Sequence, residues 1–141
     1  MPTSANKELV GSFFRAIDSG DLAALDNVCA PAYVLHFPGT PGPLNLDNTK
    51  GLFGGFIAGF ANLRHKIDHA VAEDDAVAVR LTIMGTHQGE LNGIPPTGKD
   101  VAMTSLNIFH LRDGKIVEQW VEYDALGMLA QLGVMPGSGP A

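Results

Sequence analysis

The sequence predicts an α+β domain in which helices come first and a strand meander follows, wrapped into one curved sheet. Three observations lead there. Apolar residues recur at helical spacing up to Phe60, the spacing changes to alternation from His65 onward, and an Asp113-Gly114 pair separates the last two alternating runs. With 141 residues, 45% of them hydrophobic, the chain can build one core and is too short for two ordinary domains. Residues 1–135 are therefore expected to form a single domain. The tail 136–141, made of Pro, Gly, Ser and Ala, has nothing to dock it and is expected to be flexible.

Leu9, Val10, Phe13, Phe14 and Ile17 share one face of a first helix, which Gly20 stops. Asp21 can cap a second, short helix that carries Leu22, Leu25 and Val28 and ends at Pro31. Residues 33–37 read as a short strand. Residues 38–43, Pro-Gly-Thr-Pro-Gly-Pro, cannot hold a regular element, because proline removes donors and glycine adds backbone freedom. A third helix is expected to start near Asn48 and to carry Leu52, Phe53, Phe56, Ile57 and Phe60. Its four glycine positions, Gly51, Gly54, Gly55 and Gly59, each weaken it by roughly 1 kcal/mol relative to alanine.

Ile67, His69 and Val71 alternate, as do Val77, Val79, Leu81 and Ile83 beyond the acidic turn Glu73-Asp74-Asp75, so two antiparallel strands are expected. Residues 92–98 read as a loop and 101–111 as a strand. The turn at Asp113-Gly114 returns the chain as a partner strand over 116–123.

The net charge is −6 and the basic residues are scattered, so nucleic acid and anionic membranes are not expected partners. Cys29 is the only cysteine, which excludes an internal disulfide and a thiolate metal cage and fits a cytoplasmic setting. The N-terminus does not read as a signal peptide, and no apolar run reaches the roughly eighteen residues of a membrane span. No phosphate loop, Gly-x-Ser-x-Gly elbow or His-Glu-x-x-His pair is present. No metal or cofactor is expected.

The candidates for chemistry are polar side chains in the strand-rich half, among them Asn107. Asp124 stands where the last strand runs out and before an apolar segment. A carboxylate bordering low-dielectric material gains proton affinity and suits acid-base work, yet an aspartate here can equally cap the short C-terminal helix. His110, on the penultimate strand, can steady an oxyanion or shuttle a proton if it faces a pocket, or be a half-exposed strand histidine. His36, beside the proline-rich loop, follows the same logic. His65 and His69 share strand parity but stand about 13 Å apart in extended chain, too far for one metal ion, and are expected to face solvent. Trp120, Phe14, Phe56 and Phe60 can line a cavity for a flat apolar ligand or be plain core. Glu118 and Glu122 share the parity of Trp120 and Asp124, so either a bulge shifts the register or a glutamate enters the pocket.

Several segments resemble one family. They are Gly85-Thr86-His87-Gln88-Gly89-Glu90-Leu91, Gly93-Ile94-Pro95-Pro96-Thr97-Gly98-Lys99, Asp113-Gly114-Lys115-Ile116-Val117-Glu118 with Trp120, and Asp124 with Gln131-Leu132-Gly133. Together they resemble the SnoaL-like polyketide cyclases of the nuclear-transport-factor-2-like superfamily. The resemblance implies a cone-shaped α+β barrel, with a strongly curved mixed sheet and helices closing a hydrophobic pocket, assembled as a homodimer or homotetramer. It also implies cofactor-independent, cyclase-type acid-base chemistry on a small hydrophobic carbonyl compound. Asp124 would act as acid-base, with His110 and His36 assisting, and Trp120, Phe14, Phe56, Phe60 and Asn107 would contact substrate. Epoxide hydrolases of the superfamily have an Arg-x-Asp where Arg80-Leu81-Thr82 stands, and the threonine argues against that activity. The alternatives are a non-catalytic module that binds a small molecule or dimerises on the same fold, or a related isomerase or hydrolase.

Overall fold

The computed structural model describes residues 3–135. The proposed tail 136–141 lies outside the described residues. Helix α1 (Thr3–Asp18) leads through a 3-10 turn (Leu22–Ala24) and a single helical turn, α2 (Leu25–Val28), into strand β1 (Cys29–His36). Helix α3 (Leu46–Gly59) follows, then β2 (Phe60–Glu73), β3 (Ala76–His87), β4 (Asp100–Arg112), β5 (Lys115–Tyr123) and helix α4 (Ala125–Leu132). The five strands form one mixed sheet in the order β1-β5-β4-β3-β2. Only β1 and β5 run parallel.

The predicted periodicities build this fold. The apolar stripe of α1 is buried, with Val10, Phe13, Phe14 and Ile17 nearly inaccessible, and it packs on the inner face of the sheet. Strand β4 alternates buried and exposed at every residue, so Val101, Met103, Phe109 and Leu111 face the helices. The β4–β5 hairpin turns at Asp113 (φ 53°) and Gly114 (φ 75°), the two positive-φ positions that a tight primed turn requires. Helix α3 starts two residues before the predicted Asn48, because the Asn45 side chain caps it by accepting the Asn48 amide at 2.8 Å.

Three expectations are corrected. Strand β1 begins at Cys29, and Pro31 lies within it and does not end the second helix, which stops at Val28. A missing N–H is tolerated there because β1 is an edge strand and its register shifts between Cys29 and Val34. Phe60 leaves α3 and opens β2, buried in the core. His65 and His69 do not share a face. A bulge between Ile67 and His69 inserts an extra residue into β2, so the His65 side chain turns inward, 6% exposed, while His69 is exposed. Among the described residues, no helix is long and apolar enough to cross a membrane.

Candidate active site

The inner face of the sheet and two helices enclose an apolar cavity. Phe14 of α1, Phe53 and Phe56 of α3, Leu81 of β3, Met103 of β4 and Val121 of β5 are among the side chains of its wall. The cavity has a volume of about 40 Å³, within a wider recess of about 490 Å³ that includes space open to solvent. Phe37, Phe56 and Tyr123 pack against one another with ring centroids 5.3–6.3 Å apart. These three rings also border an outer cleft lined by Thr40, Glu90 and Asn92, so they form the boundary between cavity and mouth. Burial pushes the Tyr123 hydroxyl above its ordinary range, so it stays protonated as a neutral polar tip at that boundary.

Among the described residues, three polar side chains reach the cavity wall besides Tyr123, namely His65, Ser105 and Asn107. His65 is held by Asp18, the last residue of α1. One carboxylate oxygen accepts the His65 backbone N–H at 2.9 Å, and the other lies 2.6 Å from ring Nδ1. A carboxylate oxygen can only accept, so the neutral ring carries its hydrogen on Nδ1 and presents the lone pair of Nε2. Nε2 has no partner among the described residues. Phe14 packs its ring against the imidazole at 5.1 Å and walls one side of it. This is a base fixed in tautomer and orientation, set in apolar surroundings.

On the same inner face of the sheet, two strands from His65, Ser105 and Asn107 project from β4. Behind them a buried chain of hydrogen bonds runs through Gln119 to Tyr33. An imidazole lone pair and polar hydrogen-bonding groups lining one cavity suit proton transfer at a carbon whose neighbouring carbonyl gains charge.

Of the residues expected to form the site, the structure brings Phe14, Phe56 and Asn107 together at this cavity. Phe60 is core, packed on His87. His36, His110 and Trp120 also cluster, but on the outer face of the sheet. There the His36 ring stacks on Trp120 at 5.1 Å, the His110 ring meets its edge at 4.8 Å, and His36 Nε2 contacts Glu118 Oε2 at 2.6 Å. Asp124 is exposed and caps α4, its Oδ1 accepting the Gly127 amide at 2.8 Å. The parity question on β5 is thereby answered. The bulge falls between Ile116 and Glu118, before all four residues, so Glu118, Trp120, Glu122 and Asp124 stay on the outer face while Gln119, Val121 and Tyr123 face inward. The expected placement of Asp124, His110, His36 and Trp120 in the pocket is thus corrected by the register.

Asp18 and Ser105 were not singled out by the sequence, although two signals were present, and His65 was expected to face solvent. Asp18 continues the series Val10, Phe14, Asp18 at i+4 steps, which puts a carboxylate at the end of the buried stripe of α1. Ser105 and Asn107 share parity with Met103 and Phe109, an inward register blurred by the exposed Leu106 and Ile108 between them. For His65 no local signal existed, because only the bulge decides its face.

Residues 8–132 match the family of SnoaL-like polyketide cyclases. Among solved structures, the chain is similar to wild-type IdmH from Streptomyces antibioticus, provisionally a polyketide cyclase. The two share 37% identity at a TM-score of 0.83, over 92% of this chain and 99% of that one. It is also similar to AclR from Streptomyces galilaeus, provisionally a hydroxylase, with 28% identity and a TM-score of 0.86 over 96% of this chain and 85% of that one. TsrD from Streptomyces laurentii is 26% identical at a TM-score of 0.85, over 96% of this chain and 99% of that one. No curated protein matches the chain.

Proposed function

The chain belongs to the SnoaL-like polyketide cyclase family, and from that premise we propose that it is a cofactor-independent acid-base enzyme of cyclase type. Its substrate is a flat, hydrophobic carbonyl compound held in the inner cavity. The observation that carries this reading is the His65–Asp18 pair set against Phe14 in a largely apolar space. His65 Nε2 takes a proton from a carbon next to a carbonyl. The resulting enolate attacks a second carbonyl carbon of the same molecule, forming a carbon–carbon bond, and the imidazolium returns the proton to the new alkoxide. Asp18 holds the ring and steadies its charged form. A positioned base and hydrogen-bond donors suffice for such a step.

In this reading Asp124 and His110, the pair expected from the resemblance, lie outside the chemistry, and His65 and Asp18 take their place. The test is product formation from a panel of aromatic polyketide methyl esters, followed by chromatography and mass spectrometry. The wild-type protein should release cyclised product, and His65→Gln should lower the rate by about two to four orders of magnitude. Tight binding without turnover in either protein would instead identify a non-catalytic binding module.

The outer face supports the expectation of a homodimer. Val71, Leu106 and Ile108 are 66%, 61% and 48% exposed beside the Trp120 cluster, an apolar surface of the kind that a second copy covers. Light scattering on Leu106→Glu should report a smaller species than the wild type.

A further inference from the structure

The hydrogen bonds behind the cavity have a direction. Tyr33 Oη donates to Gln119 Oε1 at 2.6 Å, Gln119 Nε2 to Asn107 Oδ1 at 2.8 Å, Asn107 Nδ2 to Ser105 Oγ at 2.9 Å, and Ser105 Oγ to the Glu122 carbonyl at 2.9 Å. We infer that this chain makes Asn107 a fixed hydrogen-bond donor toward the cavity. The adjacent subsite therefore takes an acceptor oxygen, a ketone or the enolate formed from it, and Tyr33 and Gln119 are its positioning residues. The inference deepens the proposed function and rests on that reading of the cavity.

The direction follows from what each atom can do. A peptide carbonyl only accepts, so the single hydroxyl hydrogen of Ser105 is spent on Glu122. Ser105 must then accept from its other neighbour, which turns the Nδ2 of Asn107 toward it. The Oδ1 of Asn107 faces Gln119 Nε2, and the carboxamide of Gln119 is oriented in turn by the Tyr33 hydroxyl on its oxygen. Burial pushes that hydroxyl far above the ordinary tyrosine range, so it remains a donor. Tyr33, Gln119 and Asn107 are 1%, 0% and 3% exposed, so water does not compete for these bonds.

Asn107 Nδ2 has two hydrogens, and the structure spends one of them on Ser105. The other has no partner among the described residues, and Asn107 is the member of the trio that lines the cavity. A donor held in place by a buried network needs no reorganisation when charge develops on the oxygen it faces. With His65 lining the same cavity, the site selects a molecule carrying a carbonyl oxygen and an acidic hydrogen on the neighbouring carbon.

Two bicyclic probes of similar size separate donor from acceptor. Indanone offers only a carbonyl acceptor, and indole only an N–H donor. Calorimetry gives their dissociation constants, and infrared spectra of indanone with an isotopically labelled carbonyl report the hydrogen bond itself. The wild-type protein should prefer indanone by at least about tenfold and lower its carbonyl stretch relative to an apolar solvent. In Gln119→Glu the introduced carboxylate accepts from both Tyr33 and Asn107, which turns Asn107 Oδ1 to the cavity, so the preference should reverse and the spectral shift should vanish. Tyr33→Phe, which keeps the core volume, should narrow the preference and reduce the shift if the first variant does not fold. An indanone preference that survives in both variants overturns the inference, as does an unshifted carbonyl, or failure to bind either probe, in the wild type. Turnover is a separate readout. A shifted carbonyl without cyclisation retains the donor site and removes the enzyme reading, and cyclisation without a shift does the reverse.

Discussion

Asp18 and His65, 47 positions apart in the chain, meet at 2.6 Å, and the same carboxylate also holds the His65 backbone N–H at 2.9 Å. The pair joins the end of α1 to the inner face of β2 and fixes the imidazole twice, through ring and backbone. Asp18→Asn tests it without changing side-chain size. An amide that turns its nitrogen to Nδ1 stabilises the tautomer with the hydrogen on Nε2, which removes the base. The expected outcome is a fall in kcat of about two to four orders of magnitude with KM little changed, read by steady-state kinetics on a substrate from the cyclisation panel.

Asp124 separates the two accounts of this site. Its carboxylate lies over the first turn of α4, and a side chain at Gly127 would collide with it. Asp124→Asn should keep both the cap and the turnover, since asparagine caps as well as aspartate. Asp124→Ala should lose about 1 kcal/mol of stability with kcat unchanged. Urea unfolding alongside kinetics checks both. A kcat collapse in Asp124→Asn would return catalysis to the residue named by the family resemblance.

Cys29 should be inert in the folded protein. It is 2% exposed, and burial, helped by the charge of Asp26, raises its thiol from 9.0 to about 12. Alkylation by iodoacetamide in mild alkali should be far slower in native than in urea-unfolded protein. The fold favours the neutral thiol. That stabilisation is complete below the unfolded value of 9.0 and is lost as pH rises toward about 12. Cys29→Ala should show a shallower loss of stability across that window.

Asp68 on the outer face works with the opposite sign. The Thr82 hydroxyl bonds it at 2.6 Å, and with the charges of Lys66 and Arg80 it holds the carboxyl below its ordinary 3.8. The ionised form therefore stabilises the fold above that value, and the contribution disappears as pH falls through the folded value. Thr82→Val should move the Asp68 titration upward in a carboxyl NMR experiment. The stability gap between wild type and Asp68→Asn should close in acid.

Local patterns were enough for most of the elements. The i+4 series of α1, the strict alternation of β4 and the Asp113-Gly114 turn each depend on residues within a few positions of one another. The site was less legible. Phe14, Phe56 and Asn107 lie where their periodicity puts them, because helix and strand periods hold across a single element. His65 and His69 do not share the face that their spacing gives them, because one inserted residue between them puts them on opposite faces.

By itself, then, the sequence determined the α+β architecture and the apolar character of the cavity wall, properties that short-range periodicity carries, and its quoted segments carried the family resemblance. Only the tertiary structure decided which polar groups enter the cavity. Facing depends on bulges and strand register, which are settled by pairing between distant segments. It therefore placed Asp124 on the first turn of its own helix and His110 on the outer face, and it brought Asp18 from the far end of the first helix to the ring of His65.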